Sequence, residues 1–319
     1  MAETNTTEKI KLPERFSYSK ISCYKQCAFK WYLKYHEKNF VDSTSIATEF
    51  GSLVHAIEED IAKAILSEQS INYISLKNKF ILESRKIAQR YPNEFFAIDK
   101  SGRTYQEKVY QYLDSAIYRL EHYMKQHPEL RIIGIEQKFD FEYDEKHSFN
   151  GSIDRAFLNI ETNEILIQDI KTWVVPAQSS ELKTPLQFAV YMMAAEKLWG
   201  VPYNQIRCEY DLPFCDITQP AQSDSLVDEG RLELDKLFKG ISDKNFKPTI
   251  TALCHWCEYN PLTNPSILET KPGAVCPYFS TWQKSGDSVR DTLCKWNGTE
   301  SINVDRQFIV SQLKQQSFS

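Results

Sequence analysis

Two short segments, Gly151-Ser152-Ile153-Asp154-Arg155 and Asp169-Ile170-Lys171, constrain this 319-residue chain more than anything else in it. Ile153 to Ile160 and Ile165 to Lys171 are strand-like runs, and Glu161-Thr162-Asn163-Glu164 between them is a polar connection suited to closing a β-hairpin. Pairing Glu161 with Glu164 and Ile160 with Ile165 predicts Asp154 opposite Lys171 and Ala156 opposite Asp169, whether the loop is counted as two residues or four. Side chains two apart on a strand share a face, so Asp169 and Lys171 point the same way. Asp154 is then the diagonal cross-strand neighbour of Asp169, about 7 to 8 Å away by backbone. A three- or five-residue loop would invert the parity. Hard cations such as magnesium or manganese take one or two carboxylates and fill the rest of the shell with water and substrate phosphate, a requirement that two aspartates meet. A lysine beside them would orient or deprotonate a water, or offset charge on a phosphorane-like transition state. For Asp-x-Lys taken alone, an ordinary hairpin with a wet polar face is the alternative.

Three further segments fall in with the hairpin. Glu49 to Ser67 reads as a helix with Phe50, Leu53, Val54, Ile57, Ile61, Ala64 and Ile65 on one stripe. His55 lies about 140° from Phe50, off that stripe, as a ligand or as a solvated histidine. Ile132 to Tyr143 reads as a half-buried strand, with Ile133, Ile135, Phe139, Phe141 and Tyr143 alternating with Glu136, Lys138, Asp140 and Glu142. Glu136 is thus either a further carboxylate near the metal or part of a wet face. A helix apolar nearly all round starts at Thr184 as N-cap with Pro185 at its first position, and stops before Gly200. Gln187 and Tyr191, one turn apart on it, need polar partners inside, such as the Lys171 neighbourhood or a DNA phosphate.

The ordered set Ser17-Tyr18-Ser19-x-x-Ser22-x-Tyr24-x-x-Cys27, Gly51-x-x-x-His55, Glu136, Gly151-x-Ile153-Asp154, Asp169-x-Lys171 and Gln187-x-x-x-Tyr191 resembles the RecB-like branch of the PD-(D/E)XK nuclease superfamily, over about residues 16 to 279. The resemblance implies a metal held by His55, Asp154, Asp169 and the Ile170 carbonyl, with Lys171 catalytic and Gln187 and Tyr191 in support. Trp173 stands where many relatives have a small residue after Lys-Thr.

Cys254-His255-Trp256-Cys257 is a Cys-x-x-Cys, with Cys276-Pro277 beyond it and Cys27 far upstream. Iron-sulfur members of that branch, including AddB-type nuclease domains and the CRISPR-adaptation nucleases, carry one early and three late cysteines. The resemblance therefore implies a 4Fe-4S cluster on Cys27, Cys254, Cys257 and Cys276. The gap of eighteen residues between Cys257 and Cys276 is longer than the usual spacing. Zinc on the same thiolates, or with His255 substituting, and unliganded cysteines are the alternatives. Cys23, Cys208, Cys215 and Cys294 are expected to pack as small apolar residues.

With 42% hydrophobic residues the chain can bury one large core, or a core plus a helical insertion. No leading segment resembles a signal peptide and no run reaches membrane-spanning length. Together with eight cysteines that suit metal binding better than disulfides, this points to an intracellular protein, in the cytoplasm or nucleoid of a bacterium or of a virus-infected cell. A net charge of −5 gives no global attraction to nucleic acid, so DNA must be met locally. Lysines interleave with rings along the first helix, and Tyr18, Ser19, Lys20, Tyr24, Lys30 and Trp31 are candidate contacts to unpaired bases, unless the rings serve a core.

The expected fold is α/β, a mixed central sheet flanked by helices in a restriction-endonuclease-like core, in the order α, βββ, α, β. Strands are placed near 131 to 143, 149 to 160, 164 to 172 and 205 to 214, with a further helix near 224 to 240. Residues 1–14 read as a disordered tail, 15–297 as one nuclease domain with a helical insertion at 56–130 and a cysteine-rich metal-binding segment at 250–280, and 298–319 as a polar tail. The function expected is a magnesium- or manganese-dependent DNA exonuclease acting at ends or on single strands, in recombination, repair or replication. A structure-specific or restriction-like endonuclease and a non-catalytic DNA-binding scaffold are the alternatives. No phosphate-binding loop of the Gly-x-x-x-x-Gly-Lys type is present, so a helicase, recombinase or single-strand-binding protein would be a separate partner.

Overall fold

In the computed structural model, residues 14–41, 44–99, 101–176, 186–221, 225–251, 253–254, 257–261 and 264–278 are described. The predicted terminal tails, apart from Glu14, and the Thr184-Pro185 helix start lie outside these residues, as do His255 and Cys294. The chain divides into two compact units. One comprises residues 1–17 and 45–231, the other 18–44 and 232–319.

The first unit is built on a mixed sheet of six strands. These are β1 (Glu14–Phe16), β2 (Leu130–Glu142), β3 (His147–Asn159), β4 (Ile165–Ile170), β5 (Ile206–Leu212) and β6 (Ile217–Pro220). β3 is the hub. β2 runs antiparallel to it along nearly its whole length, so the two other partners must share the remaining edge: β1 parallel to residues 147–149, then β4 antiparallel to 155–158. β5 pairs parallel with β4, and β6 closes the sheet antiparallel to β5. The mixed sheet flanked by helices is the expected fold class.

The hairpin differs from expectation by two residues of register. Leu158 pairs with Ile165 and Arg155 with Gln168, so the turn is Ile160 to Asn163. Asn159 causes this: its Oδ1 accepts from the Glu161 and Thr162 amides at 2.9 and 3.1 Å, and Asn163 takes a left-handed φ of 59°. Because the shift is even, the parity survives, and Asp154 comes across from Asp169 in place of a diagonal.

A second correction concerns β2. A register shift between Ile132 and Gly134 inverts the alternation, so that Leu130 and Ile132 are buried before it and Phe139 and Phe141 after it, while Ile133 and Ile135 are only half-buried. Glu14, assigned to the tail, belongs to β1, where it pairs with His147.

Helices α3 (Ile46–Leu66), α4 (Tyr73–Arg90), α5 (Pro92–Phe96), α6 (Tyr105–Asp114) and α7 (Arg119–Gln126) precede β2. Ser45 caps α3 by accepting the Thr48 amide, and Thr104 with Glu107 forms a capping box on α6. Phe50, Val54, Ile57 and Ile61 of α3 pack with Phe80, Tyr112, Ile117 and Phe157. Each such fully buried side chain contributes about 1.5–3 kcal/mol. α8 (Leu186–Trp199) ends at Gly200, whose φ of 66° and bond from its N–H to the Glu196 carbonyl (2.9 Å) form a left-handed cap.

In the second unit the expected single aromatic helix is broken. α1 (Tyr18–Gln26) stops at Cys27, which is extended (φ −160°) and caps α2 (Ala28–Trp31); one π-helical turn, Tyr32–His36, follows. The rings form the core of this unit: Trp31 stacks on Phe246 at 5.7 Å and meets Tyr24 edge-on. The Tyr24 hydroxyl donates to the Asn245 carbonyl at 2.7 Å. A helix from Leu226 to Ser242 (α9) enters this unit at Leu232, and a short one runs from Ile267 to Thr270 (α10). Among the described residues no helix is long and apolar enough to cross a membrane.

Candidate metal centre

Three neighbouring strands deliver the acids. Glu136 lies between the pairs Ile135↔Arg155 and Gln137↔Ile153, which sets it across β2 and β3 from Asp154, while Asp169 follows the pair Arg155↔Gln168 on the other side. Glu136, Asp154 and Asp169 therefore stand in one row. Glu136 has a φ of 43°, a conformation that costs a residue with a side chain about 1–2 kcal/mol. Strain of this kind gathers at functional sites. Gly151, on β3, accepts the Phe139 ring directly against its backbone, since a side chain there would begin 2.5 Å from the ring.

α3 brings His55 to this row. Its Nε2 is 3.0 Å from the Ile170 carbonyl oxygen, and its Nδ1 is 3.7 Å from both Glu136 Oε1 and Asp154 Oδ2. The ligand atoms of His55, Glu136 and Asp154 all lie within 4.8 Å of one another. Asp154 Oδ2 accepts the Ile170 amide at 2.8 Å, and Ser152 donates to Glu136 at 3.0 Å.

Asp169 stands outside that trio and is held by other partners. Its Oδ2 meets Lys171 Nζ at 2.5 Å, and its Oδ1 accepts from Gln187 Nε2 at 2.9 Å and from the Tyr191 hydroxyl at 3.4 Å. Gln187 also accepts from Lys171 at 3.3 Å and donates to the Tyr191 oxygen at 2.8 Å, so both polar residues of the buried α8 find partners here. Buried Oδ2 has the ion pair but no hydrogen-bond donor of proper geometry.

The electrostatics follow from burial. Desolvation, reinforced by Asp169 and only partly offset by His55, pushes the Asp154 carboxyl up to about 7. Asp169 is also raised, by its own burial, despite Lys171. Burial alone would lower the His55 imidazole, but Glu136, Asp154 and Asp169 hold it above its ordinary value. Glu136 is lowered, chiefly by its contact with His55.

Two buried carboxylates that resist ionisation, one with an oxygen short of a donor, are a donor set that a divalent cation completes. Oxygen ligands with one imidazole suit magnesium or manganese. Adjacent ligands bound at about 2.1 Å in an octahedral shell lie about 3 Å apart. His55 Nε2 and the Ile170 carbonyl, 3.0 Å apart, fit it.

Across the opposite face runs a charged network that the sequence reading missed. Arg155, 1% exposed, reaches Glu58 at 3.3 Å, Gln168 at 3.0 Å, and Asp211. Tyr112 donates to Glu58 at 2.9 Å, Arg119 to Asp211 at 2.8 Å, and Gln168 to Glu209 at 2.6 Å. The available signal was an arginine inside the apolar stretch Ile153-Asp154-Arg155-Ala156-Phe157, which has to find a buried partner.

In the second unit Cys27, Cys254, Cys257 and Cys276 line one cavity. No three of the described cysteine sulfurs come within 4.8 Å of one another. The Lys30 and Thr249 amides both point at Cys27 Sγ at 3.4 Å, and burial pushes the Cys257 thiol up to about 12. Cys23 and Cys208 are buried elsewhere and Cys215 is half-buried.

Three of the candidate DNA contacts are corrected. Tyr24 and Trp31 are buried and cannot stack on bases, and Lys30 is engaged with Glu258 at 2.8 Å. Of the others, Ser19 is exposed, Tyr18 is half-buried, and the Lys20 ammonium lies 5.7 Å from the Trp31 and Tyr35 rings.

Carboxylates set in a row by three strands, with a lysine and a histidine beside them, are a donor set suited to a divalent cation. The sequence model of the PD-(D/E)XK nuclease superfamily matches residues 15–262, and the chain belongs to that superfamily. It is accordingly a metal-dependent nuclease with DNA as substrate. No curated protein matches the chain.

Proposed function

We propose that this nuclease is an exonuclease that removes nucleotides at DNA ends or from single strands in recombination, repair or replication, and that it belongs to the RecB-like branch with the AddB-type and CRISPR-adaptation enzymes. The observation that carries the reading is the meeting of His55, Asp154, Asp169, Lys171, Gln187 and Tyr191 at one end of the sheet. The site sits within the cell, with any motor or recombinase supplied by another protein.

His55, Asp154, Asp169 and the Ile170 carbonyl would hold magnesium or manganese, with Glu136 beside them. When bound, the cation polarises the scissile phosphate and makes water a better nucleophile. The protein's own groups do the rest. Gln187 and Tyr191 fix the Asp169 carboxylate, and Asp169 with the Gln187 carbonyl fixes the Lys171 ammonium. An ammonium so held donates to the attacking water and offsets the charge that grows on the phosphoryl oxygens in the transition state. His55 stays oriented through Glu136.

The cysteines of the second unit are read as a 4Fe-4S site on Cys27, Cys254, Cys257 and Cys276. Sulfurs on tetrahedral zinc lie about 3.8 Å apart. Here the four cysteines line one cavity, and the amides aimed at Cys27 Sγ suit a bound thiolate.

The test is incubation with end-labelled linear, circular and single-stranded DNA. Linear and single-stranded DNA should be degraded with magnesium or manganese and circular duplex spared. Calcium should support binding with little cleavage. Cutting of circular duplex would replace the exonuclease with an endonuclease, and undiminished activity in excess EDTA would remove this centre as the catalyst.

A further inference from the structure

The segment that follows Lys171 is not used by the centre described above, yet it is built against it. Trp173 and Val175 line a cavity of about 410 Å³ together with Tyr105, Lys108, Asp99 and Ser101. That volume falls within the range of ligand pockets, roughly 300–1,000 Å³. Trp173 is 36% exposed and Val175 63%, so the chain leaves apolar surface open here. The indole is nevertheless fixed, leaning on the Tyr210 ring at 5.4 Å, and Tyr210 is the register partner of Asp169.

The floor is polar and pre-arranged. Lys108 is buried, with its ammonium 2.5 Å from Asp99 Oδ2 and 4.4 Å from the Tyr105 ring centroid. Asp99 Oδ1 accepts the Ser101 amide at 2.7 Å. The Ser101 hydroxyl also donates to Asp99 Oδ1, so cation, carboxylate and hydroxyl line the cavity as one hydrogen-bonded set. The remaining donor and acceptor positions of that set, together with the exposed ring, are the combination that holds a flat heterocycle by its face and reads its edge.

The cavity borders the centre. Ala47 lines both this cavity and the open one that contains His55 and Glu136. Thr172, bonded to Lys171, also lines it, and its Oγ1 lies 3.8 Å from where a side chain on Gly51 would begin, one turn of α3 before His55. Ala47 and Thr172 thus tie the lining of this cavity to the residues of the centre.

We infer that the cavity receives the base of the nucleotide next to the scissile phosphate, stacked on Trp173 with its edge toward Asp99, Ser101 and Lys108. The inference rests on the nuclease reading and narrows its substrate. A base inside a duplex is covered on both faces, so the nucleotide at this position is unpaired or displaced when the chain is cut.

The experiment uses the full-length protein, a single-stranded oligonucleotide and a series of the same oligonucleotide in which one abasic residue is moved stepwise along the chain. For the wild type, cleavage at the bond beside the abasic residue should fall about tenfold in kcat/KM, the scale of one base–aromatic stack. Trp173→Ala should lose about tenfold on the intact strand and no longer distinguish the abasic one, while Trp173→Phe keeps most of the discrimination. Binding of the same series in calcium, read by fluorescence anisotropy, should show the same pattern. Equal cleavage of intact and abasic strands at every position by the wild type overturns the subsite and leaves the nuclease standing. If the wild type cuts nothing, the nuclease reading falls and the binding series decides the cavity: one abasic-sensitive position that disappears in Trp173→Ala supports it, and none overturns it. Should Trp173→Ala fail to fold, the abasic series on the wild type decides alone.

Discussion

Asp154→Asn removes a buried charge at the centre with little change of side-chain shape. In the cation-free protein the Asp154 carboxyl titrates at about 7, against an ordinary 3.8, because burial and the Asp169 carboxylate oppose its ionisation. The group is raised, so between these values the native state keeps a proton that the unfolded chain has released. Stability therefore falls as pH rises from about 4 to about 7, and stays lower above. At about 1.4 kcal/mol per pKa unit, the loss amounts to at most about 4 kcal/mol. Asparagine does not titrate, and its carbonyl still accepts the Ile170 amide that Asp154 Oδ2 holds at 2.8 Å. Urea unfolding in EDTA, followed by circular dichroism at pH 5, 6, 7 and 8, should find the variant ahead by an amount that grows with pH. At about 1–3 kcal/mol per molar urea the midpoint gap at pH 8 should reach at most roughly 1–4 M. Magnesium should narrow the gap by stabilising the wild type. A gap independent of pH would refute the charge-burial account, and a variant less stable than the wild type at pH 8 would reverse it.

Lys171→Ala should lower the single-turnover cleavage rate by about 10²–10⁴ while DNA affinity in calcium changes only a few fold, because the ammonium acts on the transition state. A rate within threefold of wild type would exclude that role. Arg155→Ala leaves buried Glu58 without its cation and Asp211 with Arg119 alone, and thermal or urea unfolding should register a loss of about 3–5 kcal/mol. A loss below 1 kcal/mol would mean that the network is not what holds the back of the sheet. Anaerobically purified protein should be brown with about four irons per chain, and Cys27→Ser should lose iron and stability together. One zinc per colourless chain would refute the cluster while keeping a metal at these cysteines.

The pattern of residues made some of this legible and hid the rest for definable reasons. Asp154 and Asp169 come to one row because strand alternation depends only on parity, which a two-residue error in register leaves intact. The error itself came from Asn159, whose side chain closes the turn earlier than the polar run suggests. His55 stood out because it left the apolar stripe of a long helix. β2 misled because one extra residue at its start flips every side chain before it, and alternation carries no mark of a bulge. β1 and β6, three and four residues long, are too short to show a period. The rings of the first helix read equally as a base-stacking surface and as a core, and only the partners Asn245 and Phe246, more than two hundred residues away, decide for the core. The Glu58–Arg155–Asp211 network was invisible for the same reason, since a buried charge is explained only by residues distant in the chain.

The order in which the two units are written along the chain sets a schedule for their assembly. Every described residue of the metal centre has been synthesised by Tyr191, and the first unit is complete by Arg231. The second unit, begun at Tyr18, waits for partners beyond Leu232, and Cys27 is separated from Cys276 by 249 positions. At about 5–20 residues per second, a ribosome needs roughly 12–50 s to cover that distance. In the last part of that interval, once Arg231 has been made, the catalytic fold is free to form while the early cysteine still lacks its late partners, exposed to oxidants and chaperones. A nascent chain halted just as Arg231 clears the ribosome should therefore already protect the sheet from protease, yet leave Cys27 open to a thiol reagent.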